Sequence, residues 1–269
     1  MEYKDILVSI DAGDRRQQQM KLALTLARKH KARLLGYYVS PTVDEGVDRE
    51  PTNAEHPVQA ADLAEAIQIQ FEEDLRANGL DGTWLLSGDN IVEDVVAHIR
   101  SADLAIVGLG DPDRSGTNLQ RFDPEDVILA CGRPILGVPI ANVPEDVGRN
   151  ILIAWDGSRA ATRAMHDGLP LLKPADSVTL LAIDPDERDL VSIDSAVDHL
   201  RQHEIGATKR IVSSSGSAIG DALLAECEYL HVDLVVAGAY GHSRFAESML
   251  GGVSHRLLHQ MMIPVLMSH

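Results

Sequence analysis

The chain has 269 residues, 45% of them hydrophobic, with 24 lysines and arginines against 41 aspartates and glutamates, a net charge of −17. That length predicts about two domains, and that charge repels nucleic acid and anionic membrane surfaces, so neither is expected as a partner. No stretch approaches the roughly 18 apolar residues of a membrane span. The start MEYKDILVSIDAGD is charged where a signal peptide needs an apolar core, and two cysteines, Cys131 and Cys227, make no disulfide framework; a cytoplasmic location with both cysteines buried is expected.

In chain order, Ile6 to Ile10 is a short apolar run bounded by aspartate, predicted as a buried strand. Leu22 and Leu26, flanked by Lys21, Arg28 and Lys29, mark an amphipathic helix, and Arg33 to Val39 a second strand. Pro41 to Pro57 is an acidic loop carrying proline and glycine. Leu63, Ile67, Phe71 and Leu75 then recur every fourth residue as a helix face. Thr83 to Leu86 reads as a strand, Val92, Val95, Val96 and Ile99 as a helix, Leu104 to Val107 as a strand, Asp126 to Ala130 as a helix and Ile135 to Val138 as a strand. Further strands are predicted near Ile151–Trp155, Val178–Ile183, Lys209–Val212, Leu234–Ala237 and Ile263–Met267, with helices between.

The second set repeats the first. Lys4 to Asp11 matches Arg149 to Asp156 at an offset of 145, whereas Ala102 to Gly108 matches Val232 to Gly238, and Pro134 to Leu136 matches Pro264 to Leu266, at an offset of 130. The difference of 15 places the extra length in the Pro41–Pro57 region of the first copy. Five strands alternating with four helices per copy predict an α/β protein of two tandem, doubly wound, five-stranded parallel-sheet domains, 1–142 and 148–269, packed together across a short linker.

Such sheets bind ligands beyond the carboxyl ends of strands where the strand order reverses, which directs attention to the loops after the first and fourth strands of a copy. In the second copy Asp156-Gly157-Ser158 follows the first strand. After the fourth come Gly238 and Gly241, then Gly251-Gly252, then Val253 and Ser254 at a helix start. Glycines let backbone amides converge on an anion, and the free amides of a helix start favour phosphate. Arg244, Arg256, His242 and Ser254 are candidate donors.

On these residues the chain resembles the universal stress protein family in its tandem two-domain form. The resemblance implies the adenine-nucleotide alpha-hydrolase-like fold and ATP binding, with or without Mg²⁺, in a stress-response or signalling role. The family's Gly-x2-Gly-x9-Gly-Ser/Thr pattern matches Gly238, Gly241 and Gly251, with Gly252 in place of the hydroxyl residue and Ser254 two positions later. The resemblance further implies that Asp156 lies near ribose and metal, and that Ile183 and Ala237 lie near the base. Val253 and Arg244 complete the expected site. The family also pairs through its last strand, so Pro134–Val138 and Ile263–Met267 are expected to associate, within the chain as a pseudo-dimer or between chains as a homodimer.

The first copy has Gly108 where the second has Gly238, but Asp111, Arg121 and Phe122 where the second has Gly241, Gly251 and Gly252. Aspartate repels phosphate and Phe blocks close backbone approach, so no nucleotide is expected there. No general base is apparent beyond Asp156, so hydrolysis is expected to be slow or absent and no residue is assigned as catalytic. His255 and His259 are spaced to share a helix face, but no third ligand stands at a sensible spacing, so no metal site of their own is expected. Ser213 to Ser217 reads as a polar turn. The alternative function is a nucleotide-free scaffold for protein partners, which the Gly252 departure favours. An adenylating enzyme is disfavoured because no His-x-Gly-His or Ser-Gly-Gly-x-Asp-Ser signature occurs.

Overall fold

The computed structural model describes residues 2–13, 16–39, 57–87, 90–109, 124–139, 147–240 and 253–269. The first half contributes β1 (Asp5–Ile10), α1 (Arg16–His30), β2 (Arg33–Tyr38), α2 (Pro57–Asn78), β3 (Gly82–Leu86), α3 (Ile91–Ile99), β4 (Leu104–Gly108), α4 (Pro124–Cys131) and β5 (Ile135–Val138). The second contributes β6 (Asn150–Ala154), α5 (Arg159–Asp167), α6 (Leu169–Leu172), β7 (Ser177–Ile183), α7 (Glu187–Gln202), β8 (Ala207–Val212), α8 (Ile219–Tyr229), β9 (Leu234–Gly238), α9 (Val253–Gln260) and β10 (Val265–Ser268). The acidic Pro41–Pro57 region lies outside the described residues but for Pro57, the first residue of α2.

All ten strands form one sheet in the order β3-β2-β1-β4-β5-β10-β9-β6-β7-β8. Every pairing is parallel except β5 with β10, which is antiparallel. Its register sets Leu136 opposite Leu266, with Gly137 opposite Val265 and Ile135 opposite Met267. Leu136 and Leu266 are equivalent positions of the repeat, so a local two-fold axis passes between them. The last strands therefore associate within the chain, and both neighbours of β5 and of β10 are taken.

Alternation along each strand sends successive side chains to opposite faces. One face carries Ile6, Val8, Ile106, Leu136, Ile153, Leu180, Val236 and Leu266 against α1, α2, α5 and α7. The other carries Leu7, Ala105, Ile135, Leu152, Leu181, Val235, Val265 and Met267 against α3, α4, α8 and α9. The central strands are apolar on both faces, as a covered sheet requires. The outer strands are not: β8, Ala207 to Val212, exposes Lys209, which pairs with Asp194, and carries half-buried Arg210, which pairs with Glu226. Charged side chains on an edge strand discourage pairing with another chain.

The repeat also preserves a polar clamp. Asp103 accepts the Lys4 amide at 2.7 Å and the Asp5 amide at 3.1 Å. Asp233, its counterpart, accepts the amides of Gly148, Arg149 and Asn150 at 2.9, 3.0 and 3.2 Å. Each carboxylate ties the fourth strand of its half to the start of the first and satisfies amides that open the sheet. One helix departs from the expected four per half: α5 stops at Asp167, and a single turn, α6, restarts with Pro170 near its N-terminus, where a missing N–H costs nothing. Both cysteines are buried, and burial raises both thiols, that of Cys227 to about 12.

Leu266 is fully buried beside the two-fold axis. Leu266→Ala should cost about 2–5 kcal/mol in urea unfolding of the full chain; a cost within about 0.5 kcal/mol, the range of ordinary surface changes, would show that the strand junction does not carry the fold.

Candidate functional site

In the second half the strand order reverses between β6 and β9, each continuing toward opposite sides of the sheet. The residues at the carboxyl ends of these strands enclose a cavity of about 160 Å³. Ala154, Trp155 and Asp156 come from the end of β6, Leu181 and Ile183 from β7, and Ala237 and Gly238 from β9. Ile219 and Leu223 of α8 and Val253 and Ser254 of α9 close it. Of the expected site residues, Asp156, Ile183, Ala237, Gly238, Val253 and Ser254 are thus brought to one cavity from four elements. Gly241, Arg244, Gly251 and Gly252 lie outside the described residues.

Asp156 begins a chain reversal. Its Oδ1 accepts the Ser158 amide at 3.0 Å, and Ser158 caps α5 by accepting the Ala161 amide at 3.1 Å. Gly157 between them has φ +68°, a left-handed conformation that glycine adopts without a Cβ penalty. These local bonds fix an exposed carboxylate at the cavity mouth. Trp155 is buried beneath it and spends its indole N–H on Ser192 Oγ at 2.9 Å, so its contribution to the cavity is apolar.

Gly238 is in strand conformation at the end of β9. Beside the expected anion approach, the fold gives this glycine a packing reason: a Cβ there would stand 2.4 Å from the Ala161 nitrogen and 2.6 Å from the Ala160 carbonyl carbon. The first turn of α5 rests directly on β9, and only glycine admits it. Ser254 is buried and its Oγ accepts the Tyr240 amide at 3.0 Å, bracing the chain as it leaves β9 with Tyr240 at φ +53°. Arg256, a candidate phosphate donor, pairs with Asp221 of α8. Ser213 and Ser214 both bond the Asp184 carboxylate, Ser213 Oγ at 2.8 Å, and hold its pKa below the usual carboxylate range. The serine-rich segment is accordingly a turn anchored beyond β7.

The sequence reading missed Ala154, Trp155, Leu181, Ile219 and Leu223. Ile219 and Leu223 stand four apart on α8, a helical pair that places both on one face. Ile219 is 48% exposed, a large apolar side chain left at the cavity rim.

The first half uses the same parts differently. Asp11 accepts the Gly13 amide at 2.7 Å, the same turn that Asp156 makes, so this aspartate has a structural role in both halves. At the end of β4, however, buried Gln19 of α1 lies against Gly108, where a Cβ would meet its Nε2 at 2.7 Å. A larger cleft of about 420 Å³ lies between α1 and α2, lined by Arg16, Met20, Lys21, Phe71 and Asp74. It reaches the end of β1 at Ile10 and otherwise runs along the helices, and it brings together none of the expected site residues.

Because the atoms opposing a side chain at position 238 are backbone, the neighbour cannot swing aside. Gly238→Ala should destabilise the chain by about 1–3 kcal/mol, the usual cost of overpacking, measured by urea unfolding; an unchanged midpoint would show that α5 does not rest on β9 as described.

Residues 148–269 match the model of the universal stress protein family. No curated protein sequence matches the chain significantly. Among solved structures, the chain is similar to a universal stress protein from Archaeoglobus fulgidus, at 14% identity and a TM-score of 0.76, over 98% of this chain and 95% of that one. It is also similar to a putative universal stress protein from Pseudomonas aeruginosa, at 15% identity and a TM-score of 0.64, over 99% of this chain and 93% of that one. A functionally unknown protein from Pseudomonas aeruginosa is comparable, at 15% identity and a TM-score of 0.65, over 99% and 92%. Residues 148–269 are thus similar to the universal stress protein family, and the whole chain takes the fold of a universal stress protein of similar length.

Proposed function

We propose that the chain is a pseudo-dimer of two universal-stress-protein units, 1–142 and 148–269, of which the second binds an adenine nucleotide, ATP in particular. The observation that carries this reading is the convergence of Asp156, Ile183, Ala237, Gly238, Val253 and Ser254 on one cavity at the point where the strand order reverses. Its walls divide by chemistry. Leu181, Ile183, Leu223, Ala237 and Val253 offer an apolar slot suited to a planar base. Asp156 stands at the mouth as a carboxylate for ribose hydroxyls or for Mg²⁺, which is held by one or two carboxylates together with substrate phosphates. The start of α9 brings its amides and the Ser254 hydroxyl to the same cavity, favourable to phosphate. Gly241, Gly251 and Gly252 follow β9 in the sequence as the phosphate loop, with Arg244 as its positive charge.

The reading is of binding without efficient turnover. Among the described lining residues, the polar side chains are Asp156, Ser254 and Trp155, and Trp155 is committed to Ser192. None supplies a base of suitable strength for activating water beyond Asp156, whose position suits ribose or metal. In the first unit Gln19 lies against Gly108, and the loop between β4 and α4 carries Asp111 and Phe122 where the second has glycines. A nucleotide there would meet repulsive charge and steric obstruction.

Isothermal titration of ATP with Mg²⁺ into the full chain should give one site per chain. Gly241→Asp, which copies the first unit into the second, should remove the binding heat while leaving the thermal unfolding curve unchanged. Absence of heat with the unaltered chain would favour a nucleotide-free scaffold for protein partners, and normal binding by Gly241→Asp would refute the position given to the phosphates.

A further inference from the structure

The antiparallel junction of β5 and β10 places α4 and α9, the helices that lead into those strands, on the same face of the sheet. Equivalent positions of the repeat meet there: Glu125 and His255 are 130 residues apart, the offset of the repeat itself. One turn further along α9 stands His259, whose counterpart in the first half is Leu129. The two histidine rings, four residues apart on one helix face, lie with centroids 4.3 Å apart. His259 Nε2 is 3.6 Å from Glu125 Oε1. A carboxylate oxygen and one nitrogen from each ring all lie within 4.8 Å of one another.

We propose that Glu125, His255 and His259 form a binding site for a divalent transition ion of the zinc class, spanning the two halves of the chain and separate from the nucleotide cavity. The donor set selects the ion: imidazole nitrogens favour zinc, copper, nickel or cobalt over magnesium and calcium, which take oxygen. Two histidines and one glutamate with a water in the fourth place are a known ligand count for zinc. Bonds of about 2.0–2.1 Å in a tetrahedron put ligand atoms roughly 3.3 Å apart, so the 3.6 Å separation of His259 and Glu125 already approaches the required edge. Rotation of the exposed His255 side chain closes the remainder. Spacing along the sequence supplied no third ligand because Glu125 lies 134 residues before His259 and reaches it only through the folded junction. An ion held there would join α4 to α9 and so add a cross-link between the halves beside the strand pairing.

The ordinary alternative is that Glu125 favours the first turn of α4, where a carboxylate suits the helix dipole, and that the histidines are two neighbours on one helix face, His255 exposed and His259 half-buried. A second histidine group, His166, His199 and His203, with neighbouring ring centroids 4.7 Å apart, serves as the control. Zn²⁺ should be titrated calorimetrically into the metal-free full chain without nucleotide, and Co²⁺ binding followed by its visible absorption, with Zn²⁺ as displacer. One ion per chain is expected. His259→Ala should abolish it, while Glu125→Gln, which keeps the side chain's shape, and Glu125→Ala should each weaken it roughly tenfold or more. His199→Ala should leave it unchanged, and unfolding curves of all variants in EDTA confirm that they fold. No binding by the parent chain, binding unaffected by both Glu125 variants, or binding lost in His199→Ala but kept in His259→Ala would each overturn the proposal. Because no nucleotide is present, these outcomes are independent of the ATP reading.

Discussion

The antiparallel contact between β5 and β10 is the constraint on which the rest of the architecture depends. Two parallel five-stranded sheets, each buried on both faces, would otherwise present apolar last strands with unpaired backbone groups. Pairing them edge to edge about a two-fold axis satisfies those groups and necessarily makes the contact antiparallel, because rotation reverses one strand relative to the other. The register follows from the same symmetry, with Leu136 and Leu266 opposite each other and fully buried. Other cross-half contacts are consequences of this placement. Tyr3 donates its hydroxyl to the Asp167 carbonyl at 2.8 Å, and Arg163 bonds the Gly132 carbonyl. On the opposite face α4 meets α9 through Glu125 and His259.

Duplication let one scaffold take two courses. The elements that carry stability recur in both halves: the Asp103 and Asp233 clamps, the Asp11 and Asp156 turns, and the apolar central strands. What differs is the space beyond the fourth strand. In the first half the buried Gln19 side chain packs against Gly108, whereas in the second the small residues Ala160 and Ala161 bring α5 against Gly238 and a cavity opens beside it. An aspartate at the end of the first strand is therefore no mark of a ligand by itself. Its conserved local role is to turn the chain, and a ligand becomes plausible only where the surrounding side chains leave room.

Much of the fold was legible in the sequence because its determinants are local. Apolar runs such as Ile6–Ile10 and the four-residue spacing of Leu63, Ile67, Phe71 and Leu75 report burial directly, and the repeat fixed their order. The α6 turn was not legible, since its break depends on Pro170 within an otherwise continuous helical pattern. Within the candidate site, Asp156 and Ser254 were found because they sit at the ends of a predicted strand and a predicted helix, whereas Ile183 and Ala237 came from the family resemblance. Ile219 and Leu223 were missed because α8 approaches the site only through the tertiary fold. The pairing of Arg256 was hidden for the same reason, its partner Asp221 being 35 residues earlier in the chain. Gly238 was found for a reason that proved incomplete, as the contact demanding glycine comes from α5, far away in sequence.

The asymmetry between the halves can be read in one experiment. Hydrogen–deuterium exchange of the full chain, followed peptide by peptide with and without ATP and Mg²⁺, reports each half separately. Slower exchange confined to the peptides containing Asp156–Ser158, Ala237–Tyr240 and Val253–Ser254, with Ile10–Gly13 and Gly108–Leu109 unchanged, is the result expected of a nucleotide held in the second half. Equal protection in both halves, protection in the first alone, or no change at any of these segments would contradict that placement.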